Sequence, residues 1–453
     1  MKKNLTFRET VTITSMLFGL FFGAGNLIFP VSMGQQAGSH LWPAVMGLLV
    51  TGVGLPLLGV VALGISRCGG LAELSSRVGC RYGVFFTCAL YLTIGPFFAV
   101  PRCATVPFSV GVQPLLGTWG ESPWALAVFS LIFFGVVLVF SLRPNGILTW
   151  VGKVLNPVFL VSLGILVGAA LLRPMGEISQ VVPEGGYVDG PFFSGFLAGY
   201  NTLDALAGLA FGIVVVNVVR GLGITEPEDI ARNTAKAGIF SCLLMGVIYI
   251  AVAVVGTQSR GLFPVYENGG VALAQIANHY FGKAGAVILA VTVTFACLKT
   301  AVGLITSCAE TFVGMFPKGP SYSVWTVLFC VISFLIANLG LSAIIQYSLP
   351  VLMFLYPLAI TLILLTLFSK WFQGDRTVYA WVTGLTLIAA VFDFLKALLK
   401  ALPESVKTGL HLDGIVAAAE TYLPLFSIGL GWVLPAAVGL VIGLILYRKK
   451  HTV

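Results

Sequence analysis

Apolar stretches of about twenty residues, free of charge along their middle, recur from one end of the chain to the other. Runs 125–140, 155–172 and 430–447 are representative. An α-helix needs roughly 20 apolar residues to cross about 30 Å of hydrocarbon. An outer-membrane barrel would alternate apolar and polar residues over about ten positions, and no such alternation is present. The pattern predicts an all-α integral membrane protein with about twelve transmembrane helices, near 9–34, 41–66, 82–112, 123–141, 146–172, 191–219, 233–257, 283–313, 321–339, 346–369, 377–398 and 425–447. Trp42, Trp119, Trp150, Trp371 and Trp432 fall near the ends of these spans, where amphipathic rings suit the headgroup layer. The longest polar connections are 173–190, 258–282 and 399–424. The middle one, with ENGGVALAQIANHYFG, reads as an amphipathic helix over the outer mouth. No low-complexity linker divides residues 1–453, so a single transmembrane domain is expected.

Composition agrees with this reading. The 453 residues are 58% hydrophobic and 9% charged, with a mean hydropathy of +1.00. Soluble domains carry roughly 25% charged residues, so most of this surface must face lipid. The N-terminal apolar run lacks a small-x-small cleavage site and continues to Pro30, which reads as a first membrane helix and not a removed peptide.

The formal charge of +8 points toward anionic partners such as nucleic acid, but its distribution excludes them. With twelve spans, 17 of the 25 Lys and Arg lie on the side of the N-terminus, among them Lys2, Lys3, Arg8, Arg232 and Lys450. Six lie opposite: Arg173, Arg260, Lys283, Lys396, Lys400 and Lys407. The positive-inside rule then places both termini in the cytoplasm of a cell-membrane protein. Glu226, Glu228 and Asp229, followed by Arg232 and Lys236, read as a cytoplasmic helix start. The eight cysteines lack CxxC spacing and the four histidines (40, 279, 411, 451) lack metal spacing, so no resident cofactor or metal centre is expected.

Two spans contain segments that resist helix formation. The first is Gly23, Ala24, Gly25 and Asn26, before Pro30. Each glycine costs about 1 kcal/mol in a helix relative to alanine. The second is Gly199, Tyr200, Asn201, Thr202, Leu203 and Asp204, 176 residues further on. Glycine seams for helix packing would explain either one alone. Interrupted segments at corresponding positions of two halves point instead to a transporter's binding site. Unwinding frees N–H groups that suit a carboxylate and carbonyls that suit a cation or ammonium.

Arg102, Lys299 and Asp204 lie at membrane depth, where a charge costs about 2.5–3.5 kcal/mol on insertion scales. Lys299 reads as a tethered cation, as a structural partner of Asp204, or as a chain snorkelling to an interface. Arg102 reads as a ligand of carbonyls freed by Pro96 and Pro101, as a gate partner, or as a substrate contact. Asp204 is left between gripping an ammonium, taking a proton and pairing with one of the two cations.

Four segments carry a family resemblance: FGAGNLIFP at 22–30, IGPFFAVPRCATVPF at 94–108, GYNTLDALA at 199–207 and ACLKTAVGL at 296–304. On these the chain resembles the branched-chain amino acid:cation symporters, the bacterial branched-chain amino acid transport system II carriers. The resemblance implies a leucine-transporter-type fold. Its five-plus-five inverted repeat would span about 9–172 and 191–369, with accessory helices at about 377–447. It implies leucine, isoleucine and valine as substrates, coupled to Na⁺ or H⁺. By that analogy the substrate head meets Gly23, Ala24, Gly25 and Asn26 on the first helix. On the sixth it meets Gly199, Tyr200, Asn201 and Thr202, with Asp204 beside them. A cation would use carbonyls near Gly19, Phe22 and Ala296 and the hydroxyl of Thr300, with Lys299 adjoining. Three positions depart from the family pattern: Pro107, Ser109 and Leu203.

An intramembrane enzyme would need a catalytic set such as HExxH, GxSxG or paired aspartates at helical spacing, and the chain has none. A channel would need a polar pore ring or filter loop. A transport-derived sensor, or a carrier of another small apolar amino acid, keeps the same fold and remains the alternative.

Overall fold

The structure, a computed structural model, describes residues 3–23, 25–142, 147–403, 406–407 and 413–451, without the side chains of residues 20, 147–159, 413 and 451. Helix dominates, and no strand occurs among the described residues. The first predicted span is two helices, α1 (Phe7–Phe21) and α2 (Gly25–Ala37). There follow α3 (Leu41–Leu49), α4 (Leu55–Ser66), α5 (Leu71–Ser75), α6 (Cys80–Leu92), α7 (Ala99–Pro107), α8 (Gln113–Leu116), α9 (Pro123–Leu142) and α10 (Ile147–Leu172). The sixth span is also two helices, α11 (Pro191–Ala198) and α12 (Asp204–Gly221). The chain continues through α13 (Pro227–Ser259), α14 (Gly269–Met315), α15 (Tyr322–Ala337), α16 (Leu341–Leu367), α17 (Arg376–Ala401), α18 (Asp413–Tyr422) and α19 (Val433–His451).

Among the described residues, eight helical stretches are long and apolar enough to cross a membrane by length and composition. Their outward faces are rich in exposed leucine, valine and phenylalanine, a surface that only lipid can cover. This is a multi-pass membrane protein.

Local chemistry sets the helix ends. At α1 the Thr6 hydroxyl accepts from Glu9 N–H while Glu9 Oε2 accepts from Thr6 N–H at 2.8 Å, a capping box. At α13 Pro227 occupies the first turn with Glu228 and Asp229, the charge pattern a helix start favours. At α14 Asn268 accepts from Gly270 and Val271 N–H, so the ENGG segment opens a helix as expected. That helix breaks at Gly282, where φ is +58° and ψ is −153°. Residues 269–281 form the separate arm the amphipathic pattern predicts, packed beside Ile28 at the start of α2. Five-residue π turns at Thr93–Phe97 and Phe108–Val112 bracket α7, next to Pro96 and Pro107, where ring nitrogens cannot donate.

Packing between the two halves is reciprocal. α1 and α2 lie on α13, and α12 lies on α4. Similarly α10 packs on α14 while α7 touches α16, and α9 packs on α15. α17 lies between α16 and α19, which fixes the last two long helices to the side of the bundle.

Of the interfacial tryptophans, Trp42, Trp119 and Trp371 are exposed as expected. Trp432 is buried instead, beside Tyr200 of the sixth span. The side chain of Trp150 falls outside the described residues. His40 is half-buried, its Nδ1 2.8 Å from Tyr187 O, while His279 is exposed with its ring edge-on to Phe263 and Tyr280.

Candidate functional site

The two breaks meet. α1 ends when Phe22 turns extended, at φ −78° and ψ 102°, and α2 restarts at Gly25. Gly23 N–H donates to Asn26 Oδ1 at 2.7 Å, so an asparagine side chain closes the gap in the helix. A side-chain carbon on Gly23 would lie 3.6 Å from Thr300 Cγ2 on α14, and one on Gly25 would lie 3.5 Å from Thr202 O at the other break. Ala24 is outside the described residues.

The second break is a 3-10 turn, Gly199–Thr202, ending on Leu203 in the left-handed region at φ +65°. A non-glycine residue there costs roughly 1–2 kcal/mol and marks a conformation held by its surroundings. Thr202 Oγ1 donates to Gly199 O at 2.9 Å and accepts from Asp204 N–H at 3.4 Å. Gly199 is required sterically. Any side-chain carbon would collide with Thr51 Oγ1, which itself donates to Phe196 O at 2.7 Å.

Asp204 ties the breaks together. Its Oδ2 accepts from Asn26 Nδ2 at 2.7 Å and from the Tyr249 hydroxyl at 2.9 Å, and Asn26 Nδ2 also donates to Tyr249. Asp204 is 3% exposed. Neither Lys299 nor Arg102 pairs with it among the described residues, so the expected ion pairs give way to Asn26 and the α13 tyrosine.

Arg102 is 2% exposed and has no carboxylate partner among the described residues. One Nη donates to Asn201 O at 2.8 Å, the other to Ser348 Oγ on α16, and the guanidinium lies 5.1 Å from the centre of the Phe29 ring. Its carbonyl partner is at the second break and not, as the nearby prolines suggest, on its own helix. Arg102 thus ties α7, the second break, α16 and α2.

Lys299 is elsewhere. A cavity of about 10 Å³, room for one water-sized sphere, lies between α1, α10 and α14. Its lining is Phe18, Gly19, Phe22, Leu160, Ala296, Lys299 and Thr300. All five residues the sequence assigns to cation coupling border this one space. Lys299 is half-buried and makes no ion pair among the described residues. A larger apolar hollow of about 610 Å³ at Met315–Pro320 and Trp325 is at the far end of α14, away from both breaks.

The Tyr200 ring is fully buried and stacks on Tyr356, centroids 4.0 Å apart, with Phe196 edge-on at 5.7 Å. Its hydroxyl turns toward Trp432 and Asp393, so the break itself presents backbone and not this ring. Tyr249, Thr51, Ser348 and Tyr356 give no local sequence signal, because each reaches the breaks from a distant helix. Among the described residues no cluster of three or more His, Cys, Asp or Glu is placed to hold a metal.

A family model described as "Branched-chain amino acid transport protein" matches residues 6–450. The chain is 53% identical over 438 residues to a branched-chain amino acid permease, BrnQ, of Lactobacillus delbrueckii subsp. lactis, covering 97% of this chain and 96% of that one. It is 42% identical over 452 residues to BrnQ of Bacillus subtilis, with 99% and 100% covered. It is 41% identical over 441 residues to a branched-chain amino acid transport system 2 carrier protein of Pseudomonas aeruginosa, with 97% and 96% covered. Among solved structures it resembles the inward facing conformation of Mhp1, with a TM-score of 0.62 at 14% identity, covering 98% of this chain and 91% of that one. At that identity the likeness shows the fold, which is of the leucine-transporter type.

Proposed function

This chain belongs to the branched-chain amino acid transport protein family, and from that premise we propose that it imports leucine, isoleucine and valine by symport with a cation. It is a transport protein and not an enzyme. One observation carries the reading: two broken helices meet at Gly23–Asn26 and Gly199–Asp204, so both interruptions of the helical hydrogen-bond ladder lie side by side.

An α-amino acid head presents a carboxylate and an ammonium within one small group. N–H groups at the start of α2 suit the first, and carbonyls near Gly199 and Thr202, each with two lone pairs, suit the second. Asn26 and Asp204 fix the spacing between the two sets. The aliphatic side chain needs only an apolar wall. Such a wall separates one methylene by about 1–3 kcal/mol, so the three substrates compete.

The coupling ion sits at the cavity lined by Gly19, Phe22, Ala296, Lys299 and Thr300. It is Na⁺, held by carbonyls and the Thr300 hydroxyl, or a proton carried by Lys299, whose ammonium then takes the place of the metal. Twelve spans in the cell membrane, both termini cytoplasmic, carry a five-plus-five inverted repeat of about 9–172 and 191–369. The reciprocal packing of α1 and α2 on α13 and of α12 on α4 supports that symmetry. Alternating access then rocks one set of helices about the two breaks.

The test is radiolabelled leucine uptake into proteoliposomes under a sodium gradient and, separately, a proton gradient. Accumulation under one of them, with isoleucine and valine competing, is the expected result. Accumulation under neither defeats the symport reading.

A further inference from the structure

The accessory helix α17 holds a buried carboxylate that the transport reading above does not use. Asp393 is 1% exposed, and neither of its oxygens has a hydrogen-bond partner among the described residues. Its neighbours are polar groups left in the same condition. The Tyr200 hydroxyl and Trp432 Nε1 face each other beside it, and both are buried without a well-formed hydrogen bond. The carboxyl is therefore within electrostatic reach of the Tyr200 side chain at the second break, from a helix outside the ten that form the repeat.

An ionised carboxylate buried with no partner costs several kcal/mol, and such a group is paired, metal-bound or neutral. Among the described residues no cation pairs with it. Lys396, one turn along α17, is committed to Glu420 at 2.9 Å and to the carbonyls of Phe426 and Ser427 at 3.2 and 3.4 Å. Among the described residues the other titratable groups around it are Tyr200 on the break, Tyr356 on α16 beside Tyr200, and Lys400 beyond Lys396 on α17. Trp432 can donate but not accept. A sodium ion would want about six oxygen ligands, and this pocket offers a carboxyl, one phenol and an indole. A neutral carboxyl fits: it removes the buried charge, and the polar groups nearest to it, the Tyr200 hydroxyl and Trp432 N–H, are themselves uncharged.

We propose that Asp393 is a proton-binding site of this carrier, loaded and emptied during the cycle, and that it acts on the second helix break through Tyr200. The proton comes from the aqueous phase at the Ala401 end of α17, where Lys396 and Glu420 lie, and converts the carboxylate to the acid. When the proton leaves, the new charge sits against the Tyr200 hydroxyl. Tyr200 is stacked on Tyr356, whose hydroxyl lies near Asp204 and the backbone of Ala205, so the change is passed to the carboxylate that joins both breaks. The accessory helices then have a part in coupling. Asp393 is a positioning residue in this scheme, since it touches no substrate.

The proposal rests on the transport reading but is tested apart from it. Infrared difference spectra of the full-length protein in lipid, between about pH 5 and about pH 9, should contain a protonated-carboxyl C=O band. Asp393→Asn should remove that band, Asp393→Glu should move it, and Tyr200→Phe should shift its frequency. In vesicles, leucine uptake by the wild-type protein should change about tenfold over one to two pH units, and by less than twofold in Asp393→Asn, with Asp393→Glu restoring the dependence. A wild-type spectrum without such a band, or a band that Asp393→Asn leaves in place, overturns the proposal. So does a band that disappears on adding NaCl at constant pH, which would make the ligand a metal ion. If no variant, the wild type included, accumulates leucine, the transport reading fails while the spectra still decide whether Asp393 binds a proton.

Discussion

At the first break the chain turns on Gly23 and Asn26, and Phe22 and Gly23 stay half-buried beside a small cavity. At the second, Gly199 fits under Thr51, Tyr200 is sealed against Tyr356, Leu203 is held left-handed, and Arg102 grips the Asn201 carbonyl. The first break is made of small residues and the hydrogen bonds of one side chain, Asn26. The second is fixed from four directions. An alternating-access carrier needs both kinds of part: a segment that can change shape around a ligand and a platform it changes against. On the proposed alternating-access reading, the asymmetry gives the first role to Gly23–Asn26 and the second to Gly199–Asp204.

The largest expected effect tests that contrast with one methyl group. Gly199→Ala should push the Thr51 hydroxyl off Phe196 O and separate α11 from α3 and α4, costing about 3 kcal/mol or more by overpacking. Gly23→Ala meets Thr300 at ordinary van der Waals distance and should leave stability within about 1 kcal/mol while slowing uptake. Thermal unfolding midpoints followed by size exclusion distinguish the two. Equal losses of stability would show that both breaks are equally rigid.

What the sequence made legible follows from range. Hydrophobic length, the glycine and asparagine breaks and the Asn268 cap are local signals, and the structure places helices, interruptions and the arm at 269–281 where they predict. Contacts that hold the breaks are not local. Tyr249 lies 45 residues from Asp204, and Ser348 lies 246 from Arg102. The expected pairing of Lys299 with Asp204 joined two charges by type alone, and sequence has no means of showing that they face different spaces. Asp393 did leave a signal, a carboxylate inside VFDFLKALL. No role is read for it from the sequence, and the structure pairs Lys396, three residues on, with Glu420.

A smaller effect separates the two intramembrane cations. Arg102→Met leaves the Asn201 carbonyl and the Ser348 hydroxyl without their charged donor. It should lower stability by about 2 kcal/mol, reduced from the gross value because a buried charge is also removed. Lys299→Met removes no hydrogen bond or ion pair among the described residues, and the apolar stem is replaced by one of similar length. Its stability should be unchanged within about 0.5 kcal/mol, with the change confined to ion dependence. A stability loss in Lys299→Met as large as that in Arg102→Met would remove the distinction between a fixed and a mobile side of the site.

The smallest structural perturbation asks what the cavity beside the first break holds. Thr300 Oγ1 donates to Ala296 O at 3.1 Å, one turn back along its own helix, a bond that contributes little to helix stability. Thr300→Val keeps the shape and should cost under about 0.5 kcal/mol. If Na⁺ occupies the cavity, the substitution removes one oxygen ligand, and the sodium concentration for half-maximal uptake should rise about tenfold, equivalent to about 1.4 kcal/mol. If Lys299 carries a proton there, Thr300→Val should leave ion dependence intact while Lys299→Met abolishes the effect of pH. Unchanged sodium and pH dependence in both variants would exclude this cavity from coupling. The looser break would then border an ordinary packing defect, and the carboxylates Asp204 and Asp393 would be left as the candidates for coupling.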